Sequence, residues 1–455
     1  MSGSPMTLES AKALRQPPKR FPPMLAALMC CALFFACCAV YAAKDAPVQE
    51  EHSRASSFTQ LVPDGAGSVA AITLEQGGTA YTVLEQDGAL GIEGEETPLD
   101  QRAAAELLQT GASIIARQTL QGNPADYGIG GDALRAVYRY ESGQTFVLLL
   151  GDAVPTGEGW YAAAEGGKDV YVVNHALAAT LLGGRQALYA LPELTQRYTA
   201  NTLLSASIEL PGQQLLTLER VTKENPFNTK VQMTSPIRYP ANAERAAEVY
   251  LALEAIRITG VAAVGNDAAN WKDDAVLAVL TLCDRSTTTL TIGQTGETCT
   301  LRIGGDPNVY TLDAASLAFL DAVSVPYLAE QLPGLVMLNQ VSGITVRTQE
   351  ETIAVSVNPA EDIYLIDGVS ASREAFVPVY QQMIGLLIER YVPQPDAIGE
   401  ARILIEYTFT NGQRWQIAFA QYDGQFDLVV RDGCACFLIS REKTDAVLAA
   451  LRSLK

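Results

Sequence analysis

Alternation of apolar and polar residues divides most of the chain into short strands, and residues 133–182 show it most clearly. This stretch contains four apolar-rich segments separated by turns that contain Gly, Pro or Ser: ALRAVYRY, QTFVLLLG, GWYAAAE and DVYVVN. A period of two is typical of a strand with one buried face, and the residues that follow have helical spacing. We therefore predict a four-stranded meander closed by a short helix.

The same order of elements returns at residues 274–320 and 402–451. Each meander follows a hairpin and a helix whose apolar residues lie three or four positions apart. The dipeptides Val170-Tyr171, Val309-Tyr310 and Cys436-Phe437 occupy the same place before each closing helix. The pattern predicts an α+β fold of three related units, each an antiparallel β-meander sheet with helices on one side.

The amphipathic helices of the first two units have recognisable starts. In the first unit Thr97 is predicted as the N-cap with Pro98 at the first helical position, and the helical spacing extends to Ile115. In the second unit the helix is predicted to begin after Asn242. These helices are expected to pack one apolar face onto the sheet of their own unit.

The N-terminal region contains an apolar run, residues 22–43, that has no charged residue. At about 1.5 Å per residue, a helix of this length covers the roughly 30 Å hydrocarbon core of a bilayer. Basic residues precede the run and acidic residues dominate after it, which predicts a cytoplasmic N-terminus and an extracytoplasmic location for residues 44–455. The predicted segments are a cytoplasmic tail (1–21), a transmembrane helix or uncleaved signal anchor (22–43), a linker (44–66) and α+β units at 67–190, 203–330 and 338–455.

Two alternatives keep this location but change the attachment. Val40-Tyr41-Ala42 is similar to a small-residue cleavage site, which would make the run a signal peptide. Residues 33–37, LFFAC, loosely resemble a lipoprotein cleavage box. The length of the apolar run favours an uncleaved anchor.

The charge distribution bears on possible partners. The formal net charge is −19, and because residues 1–44 carry +4, the remaining residues carry −23. Such an acidic surface repels phosphate backbones, so we predict no nucleic-acid partner. The predicted partners are membrane proteins, together with the lipid bilayer through residues 22–43.

Four cysteines lie outside the apolar run: Cys283, Cys299, Cys434 and Cys436. The chain has no CxxC pair and only 2 histidines, which argues against a structural zinc site. A bridge between Cys283 and Cys299 is sterically feasible, and Cys434 and Cys436 would point to the same face of one strand. Buried free thiols are the favoured interpretation for all four.

Motifs that carry chemistry are absent from the sequence. The glycine-rich residues 127–132 follow an Asn-Pro turn and precede a strand, so they lack the context of a dinucleotide-binding loop. No GxxxxGK[ST], HExxH or GxSxG motif occurs. The remaining candidates are interpreted as capping, solvated turns or packing: His175, the carboxylate pairs at 95–96, 273–274 and 350–351, and Trp160, Trp271 and Trp415. We predict no catalytic, cofactor-binding or metal-ligating residue and no cofactor.

Residues 126–182 resemble the bacterial family known as domain of unknown function 4340. The resemblance rests on Tyr127-Gly128-Ile129, residues 148–152 (LLLGD), Trp160-Tyr161 and residues 170–173 (VYVV). The second unit keeps residues 290–293 (LTIG) and 309–312 (VYTL) but lacks the Tyr-Gly tripeptide, and the third unit departs further. The resemblance implies an outward-facing protein with a single anchor, encoded beside membrane subunits of transport ATPases and gliding-type auxiliary proteins. It implies no catalytic residue.

Three functional hypotheses follow. The leading one is a non-enzymatic, membrane-anchored extracytoplasmic adaptor or scaffold that serves as an accessory of an ABC-transporter-like complex. The second is an extracytoplasmic receptor for a cell-envelope or nutrient molecule, which requires a pocket between units. The third, a cell-envelope hydrolase, is the least favoured because no nucleophile or acid–base motif accompanies the fold.

Overall fold

Three antiparallel sheets of nine strands each follow one another along the chain. The structure is a computed structural model and describes residues 58–395 and 398–455. The predicted cytoplasmic tail, the membrane segment at residues 22–43 and the linker up to residue 57 lie outside the described residues. Within the described ranges, no helix combines the length and apolar character that a membrane span requires.

The first sheet contains the predicted meander as four consecutive neighbours. Its strands are β1 (Thr59–Gln60), β2 (Val69–Gln76), β3 (Thr79–Gln86), β4 (Ala89–Ile92), β5 (Ile115–Leu120), β6 (Leu134–Tyr140), β7 (Thr145–Ala153), β8 (Trp160–Ala164) and β9 (Val170–Val173). Their spatial order is β1-β5-β9-β8-β7-β6-β2-β3-β4. Helix α1 (Gln101–Gln109) precedes β5, and α2 (His175–Leu182) follows β9.

The second sheet repeats this organisation with one more strand after its hairpin. Its strands are β10 (Ser205–Glu209), β11 (Leu216–Arg220), β12 (Val231–Ser235), β13 (Tyr239–Ala241), β14 (Ile258–Ala263), β15 (Ala275–Cys283), β16 (Thr287–Thr295), β17 (Thr298–Ile303) and β18 (Val309–Leu312). The helices are α3 (Ala243–Glu254), the short α4 (Gly265–Asn270) and α5 (Val325–Leu328). The spatial order is β13-β12-β11-β10-β15-β16-β17-β18-β14.

The third sheet has the same order as the second. Its strands are β19 (Val341–Thr348), β20 (Thr352–Asn358), β21 (Ile363–Ile366), β22 (Val369–Ala371), β23 (Arg390–Tyr391), β24 (Ala401–Phe409), β25 (Arg414–Gln421), β26 (Phe426–Arg431) and β27 (Cys434–Ser440). They are arranged β22-β21-β20-β19-β24-β25-β26-β27-β23. Helix α6 (Arg373–Ile384) precedes β23, and α7 (Arg441–Arg452) closes the unit. Short 3-10 turns elsewhere include Pro124–Tyr127 and Ala314–Asp321.

One chain path therefore occurs three times. The first strand of each hairpin (β2, β10, β19) also pairs with the first strand of its meander (β6, β15, β24). The strand after each long helix (β5, β14, β23) adds to the far edge of the meander by pairing with β9, β18 or β27. The turns at residues 141–143, 284–286 and 410–412 join equivalent strands, β6 to β7, β15 to β16 and β24 to β25. The predicted α+β architecture of three related antiparallel units is confirmed.

The helices that follow the hairpins, α1, α3 and α6, begin with side-chain caps, but the first does not begin where it was predicted. Asn242 caps α3, as expected, by accepting a hydrogen bond from the amide of Arg245. In the first unit the cap is Asp100, and the prediction of Thr97 is wrong. Leu99 forms an isolated β-bridge with Tyr189, so the backbone before Asp100 is extended and the helix begins only after it. Helix α1 also ends earlier than its apolar spacing indicated, because Ile115 already belongs to β5.

Most buried apolar side chains form one continuous cluster that includes residues of all three sheets. Two smaller clusters lie on the opposite sheet faces. One contains Ile129, Ala163 and Val170, and the other brings Ala268 of α4 against Val309. Because residues 60–455 form a single compact unit, the predicted boundaries between the three α+β units stay a prediction.

Candidate functional site

Arg431 is a buried charged residue that lies at the junction of the second and third units. It is the last residue of β26, and only 3% of its surface is exposed. Its guanidinium carbon lies 5.1 Å from the ring centroid of Phe227, 5.7 Å from that of Tyr239 and 5.1 Å from that of Trp415. A cation–π contact contributes about 0.5 to 2 kcal/mol, with the larger values for desolvated pairs. We call these four residues the Arg431 joint.

Hydrogen bonds complete the environment of the buried cation. Nη1 of Arg431 donates to the carbonyl of Pro333 at 2.7 Å, and Nε lies 3.3 Å from the carboxylate of Asp432. The same carboxylate accepts a hydrogen bond of 2.8 Å from Nε1 of Trp415. A buried charge is costly unless it is paired and hydrogen-bonded. The hydrogen-bond partners come from the third unit and the connection before it, whereas the aromatic partners come from both units. The complete set of contacts therefore forms only when the units are in contact.

Local hydrogen bonds shape the loop that carries Phe227 from the second unit. The side chain of Asn225 accepts from the amides of Phe227 (3.2 Å) and Thr229 (2.9 Å), and it donates to the carbonyl of Thr229 at 3.0 Å. The ring of Phe227 then packs edge-on against Trp415, with centroids 4.7 Å apart, and also contacts Phe409. An Asn that bonds its own loop is a common turn device. Here it presents an aromatic side chain to the neighbouring unit.

A cavity of about 450 Å³ lies where the first and second units meet. Its apolar lining includes Pro98, Pro192 and Pro307, and its polar lining includes Asn308 and Asp306. Asn308 is only 7% exposed, yet its side chain has only long contacts, 3.5 Å to the hydroxyl of Thr97 and 3.4 Å to that of Tyr310. Hydrogen bonds of this type usually measure about 2.7 to 3.2 Å. The amide therefore has hydrogen-bonding capacity left over.

The carboxylates of Asp306 and Glu96 line this cavity, and further charged groups lie near it. Asp306 accepts from the hydroxyl of Tyr310 at 2.9 Å and lies 3.9 Å from Arg197. Burial, together with the Asp306 carboxylate, raises the pKa of Tyr310 to about 12, although the hydrogen bond from Asn308 opposes the shift. Nearby, Glu95 pairs with Arg185 at 2.6 Å. The site can accept hydrogen bonds from a small polar molecule.

A second cavity, of about 310 Å³, lies between the second and third units. It is lined largely by apolar side chains, among them Ile208, Val325 and Tyr391. Among the described residues, cavities therefore lie at two junctions between units. Neither cavity contains a histidine or a cysteine in its lining.

The carboxylate pairs singled out in the sequence are dispersed. Glu95 is paired with Arg185, Asp273 lies 3.4 Å from Arg302 and accepts from the Thr300 hydroxyl, and Glu351 contacts Arg452 and Lys455. His175 is exposed at the first position of α2, whose cap is Asn174. Over the described ranges, no group of three His, Cys, Asp or Glu residues is placed to hold a metal ion.

The tryptophans differ in their roles. The indole N–H groups of Trp160 and Trp271 are buried and have no hydrogen-bond partner within the described residues. Trp415 belongs to the Arg431 joint, which its strand position alone did not reveal. A basic residue just before an Asp-Gly turn is typical of a solvent-exposed position, so the sequence did not indicate that Arg431 is buried.

The positions of Cys283 and Cys299 exclude a disulfide between them. Cys283 is opposite Thr287 of β16, whereas Cys299 is opposite Gln294 of the same strand. At about 3.3 Å per residue these positions are roughly 23 Å apart, far beyond the reach of a disulfide. Cys434 and Cys436 both lie in β27, with their Sγ atoms 2.8 Å apart.

The residues of the family-like stretch contact one another. Gly128 ends the turn Pro124–Tyr127 with a φ of +75°, and the Asp152 carboxyl group lies over it so closely that a Cβ at Gly128 would collide with the side chain. A Cβ at Gly151 would lie 2.3 Å from the carbonyl oxygen of Tyr127. In the second unit, a Cβ at Gly293 would lie 2.4 Å from the side chain of Asp273. The glycines thus let a covering segment approach the sheet, and the motif is structural.

A comparison with known protein families supports the resemblance that these residues carry. Residues 92–277 match the family described as "Domain of unknown function (DUF4340)", so the predicted resemblance is confirmed. The match begins at the end of β4 and ends within β15, and it therefore includes α1, the first meander and the first hairpin of the second unit. No curated protein and no solved structure matches the chain.

Proposed function

We propose that the chain is a non-enzymatic, membrane-anchored extracytoplasmic adaptor or scaffold that serves as an accessory of an ABC-transporter-like complex. The observation that carries the proposal is the Arg431 joint, in which a buried cation contacts aromatic side chains of two of the three repeated units. The apolar run at residues 22–43 supports a membrane location, and the neighbouring proteins that the family resemblance implies support transporter subunits as partners.

The joint supports a scaffold for a physical reason. A buried arginine contributes little net stability compared with apolar packing, but it penalises every arrangement in which its partners are lost. Phe227 and Tyr239 come from the second unit, and Trp415 comes from the third. The interaction therefore favours one relative orientation of the two units, which a protein that positions partners requires.

Co-purification tests the proposal. The tagged full-length chain is extracted from native membranes in mild detergent, alongside a variant with residues 22–43 replaced by a cleavable signal peptide. Recovery of the membrane subunits of a transport ATPase with the anchored chain supports an adaptor. Recovery of the chain alone from intact, active membranes contradicts it.

A receptor is the second candidate, because Asn308 is buried at the cavity between the first two units with unused hydrogen-bonding capacity. The acceptors Asp306 and Glu96 favour a small ligand rich in hydroxyl or ammonium donors. Thermal shifts with a panel of neutral hexoses and primary amines test this candidate. A ligand at 100 times its Kd adds about 2.7 kcal/mol to the free energy of unfolding.

A matched pair of variants identifies the site. Asn308→Ala should abolish the ligand-induced shift, whereas Asn266→Ala, at an exposed position of α4, should retain it. No shift with any compound, or an equal shift in both variants, contradicts a receptor role at this cavity.

A further inference from the structure

Cys434 and Cys436 occupy alternate positions at the start of β27, directly after the turn from β26. Alternate residues of an extended strand have Cα atoms roughly 6.6 Å apart, near the upper end of the range of about 4.4 to 6.8 Å that disulfides span. A regular strand would therefore hold the two side chains side by side but barely within bonding reach.

An irregularity in the sheet brings the two thiols closer. Val429 is opposite Phe437 and Val430 is opposite Ala435, so Cys436 is the extra residue of a β-bulge. A bulge bends its strand and re-aims the side chain that it carries. The Sγ atoms of Cys434 and Cys436 are 2.8 Å apart. Unbonded carbon atoms pack at about 3.5 to 4.0 Å, and sulfur is larger, so the pair is already closer than ordinary packing would place it.

The hairpin turn before Cys434 holds this arrangement at one end. Asp432 and Gly433 have φ values of 51° and 82°, the left-handed geometry of a two-residue hairpin turn. Arg431, on the other side of the turn, is directly opposite Cys434. The strand register therefore places a buried guanidinium beside the first of the two thiols.

The two sulfur atoms are not equivalent. The hydrogen bond between the two sulfur atoms, together with the positive charge of Arg431, lowers the pKa of Cys434 despite burial. The same hydrogen bond, together with burial, raises the pKa of Cys436. Cys434 is also the more exposed, at 9% against 3%. A thiolate is the species that attacks a disulfide.

We propose that Cys434 and Cys436 form a reversible dithiol–disulfide site that exchanges with a disulfide of another molecule. Cys434 releases its proton to water, and the resulting thiolate attacks the external disulfide RSSR, forming a mixed disulfide and releasing one thiolate, RS⁻. Cys436 gives up its proton to that thiolate and attacks the sulfur of Cys434, which releases the second RS⁻ to take up a proton from water. The protein loses two electrons and two protons, and RSSR becomes two RSH.

The test uses the reduced full-length chain in buffers of graded glutathione and glutathione disulfide, with acid quenching and alkylation under denaturing conditions. Trypsin releases both cysteines in one peptide, residues 432–441. The expected result is a switch from the doubly alkylated peptide to an unalkylated peptide lighter by two hydrogen atoms, reversed by dithiothreitol. Cys283 and Cys299, half-buried on separate strands, serve as internal controls and stay alkylated.

Two variants test the order of attack. Cys436→Ser should accumulate glutathione on Cys434, because the resolving thiol is gone, whereas Cys434→Ser should leave the more buried Cys436 slow to react. A peptide that remains doubly alkylated in glutathione disulfide alone overturns the proposal. Equal glutathionylation of both variants overturns the assigned order and with it the role of Arg431.

Discussion

The guanidinium carbon of Arg431 lies 5.1 Å from the ring centroid of Phe227, and this contact joins two units that are separate in the sequence. Phe227 lies in the loop between β11 and β12, and Arg431 ends β26. Replacing Arg431 by Ala should lower the free energy of unfolding by about 3 kcal/mol, because cation–π contacts are lost and the carbonyl of Pro333 loses its donor. Denaturant unfolding measures the change. Arg414→Ala, which removes an exposed arginine of the same sheet, is the control and should have little effect.

The coupling between Phe227 and Arg431 can be measured directly. A double-mutant cycle with Phe227→Ala and Arg431→Ala should give an interaction free energy of about 1 to 3 kcal/mol, because the two side chains are in contact. Leu215→Ala, at an exposed position in the same half of the second unit, should combine additively with Arg431→Ala. Additivity for the Phe227 pair would mean that the joint does not couple the units.

Gly151 and Gly130 make a matched pair for the role of the family-like stretch. A Cβ at residue 151 would lie 2.3 Å from the carbonyl oxygen of Tyr127, whereas one at residue 130 would have no atom within 4 Å. Gly151→Ala should therefore lower the free energy of unfolding by about 1 to 3 kcal/mol through overpacking. Gly130→Ala should be close to neutral. Equal midpoints in thermal melts of the two variants would contradict the proposed close approach.

Tyr250 should make the protein sensitive to alkali. Burial raises its pKa to about 12, against the opposing effect of Arg220. Because the folded pKa exceeds the unfolded value of about 10, the neutral phenol's contribution is fully present below pH 10 and is lost as the pH rises towards 12. Tyr250→Phe should flatten this loss in unfolding curves measured between pH 9 and pH 12.

The same residue allows a test at neutral pH. The hydroxyl of Tyr250 has no hydrogen-bond partner within the described chain, whereas that of Tyr140 donates to the carbonyl of Gly111 at 2.8 Å. Tyr250→Phe should thus be neutral or stabilising at pH 7, and Tyr140→Phe should cost about 1 kcal/mol. A loss in the Tyr250 variant as large as in the Tyr140 variant would reveal a partner for the Tyr250 hydroxyl.

Asp427 ties the closing helix of the third unit to its sheet. Its fully buried carboxylate is 2.8 Å from Arg402 and 3.4 Å from Arg441, and it accepts from the hydroxyl of Thr444 at 2.7 Å. Asp427→Asn removes the buried counter-charge that the half-buried Arg402 and Arg441 share, and it should cost about 3 kcal/mol. Asp445→Asn, which removes an exposed partner of the same Arg402, should cost less than about 1 kcal/mol. Chemical denaturation of both variants gives the comparison.

Local pattern was enough to predict the repeated path of the chain. Alternation in β6 places Leu134, Ala136 and Tyr138 on the buried face, and Asn242 caps α3 as its residue type indicated. Sheet face, turn position and cap depend on residues within a few positions of one another, so the sequence by itself determined them. The cap of α1 was not predictable in this way: the sequence indicated Thr97, but the cap is Asp100. The bridge from Leu99 to Tyr189, which keeps the backbone before Asp100 extended, joins distant parts of the chain.

Only the tertiary structure decided what lies between the units. Phe227 follows a proline in a polar loop and Arg431 precedes an Asp-Gly turn, and both patterns are typical of solvent-exposed positions. The same holds for Asn308, which is buried only because the first and second units meet over it. Burial of such residues depends on surfaces brought together from hundreds of positions apart, and no local periodicity records it. A buried charge needs partners, and those partners can be identified only in the tertiary structure.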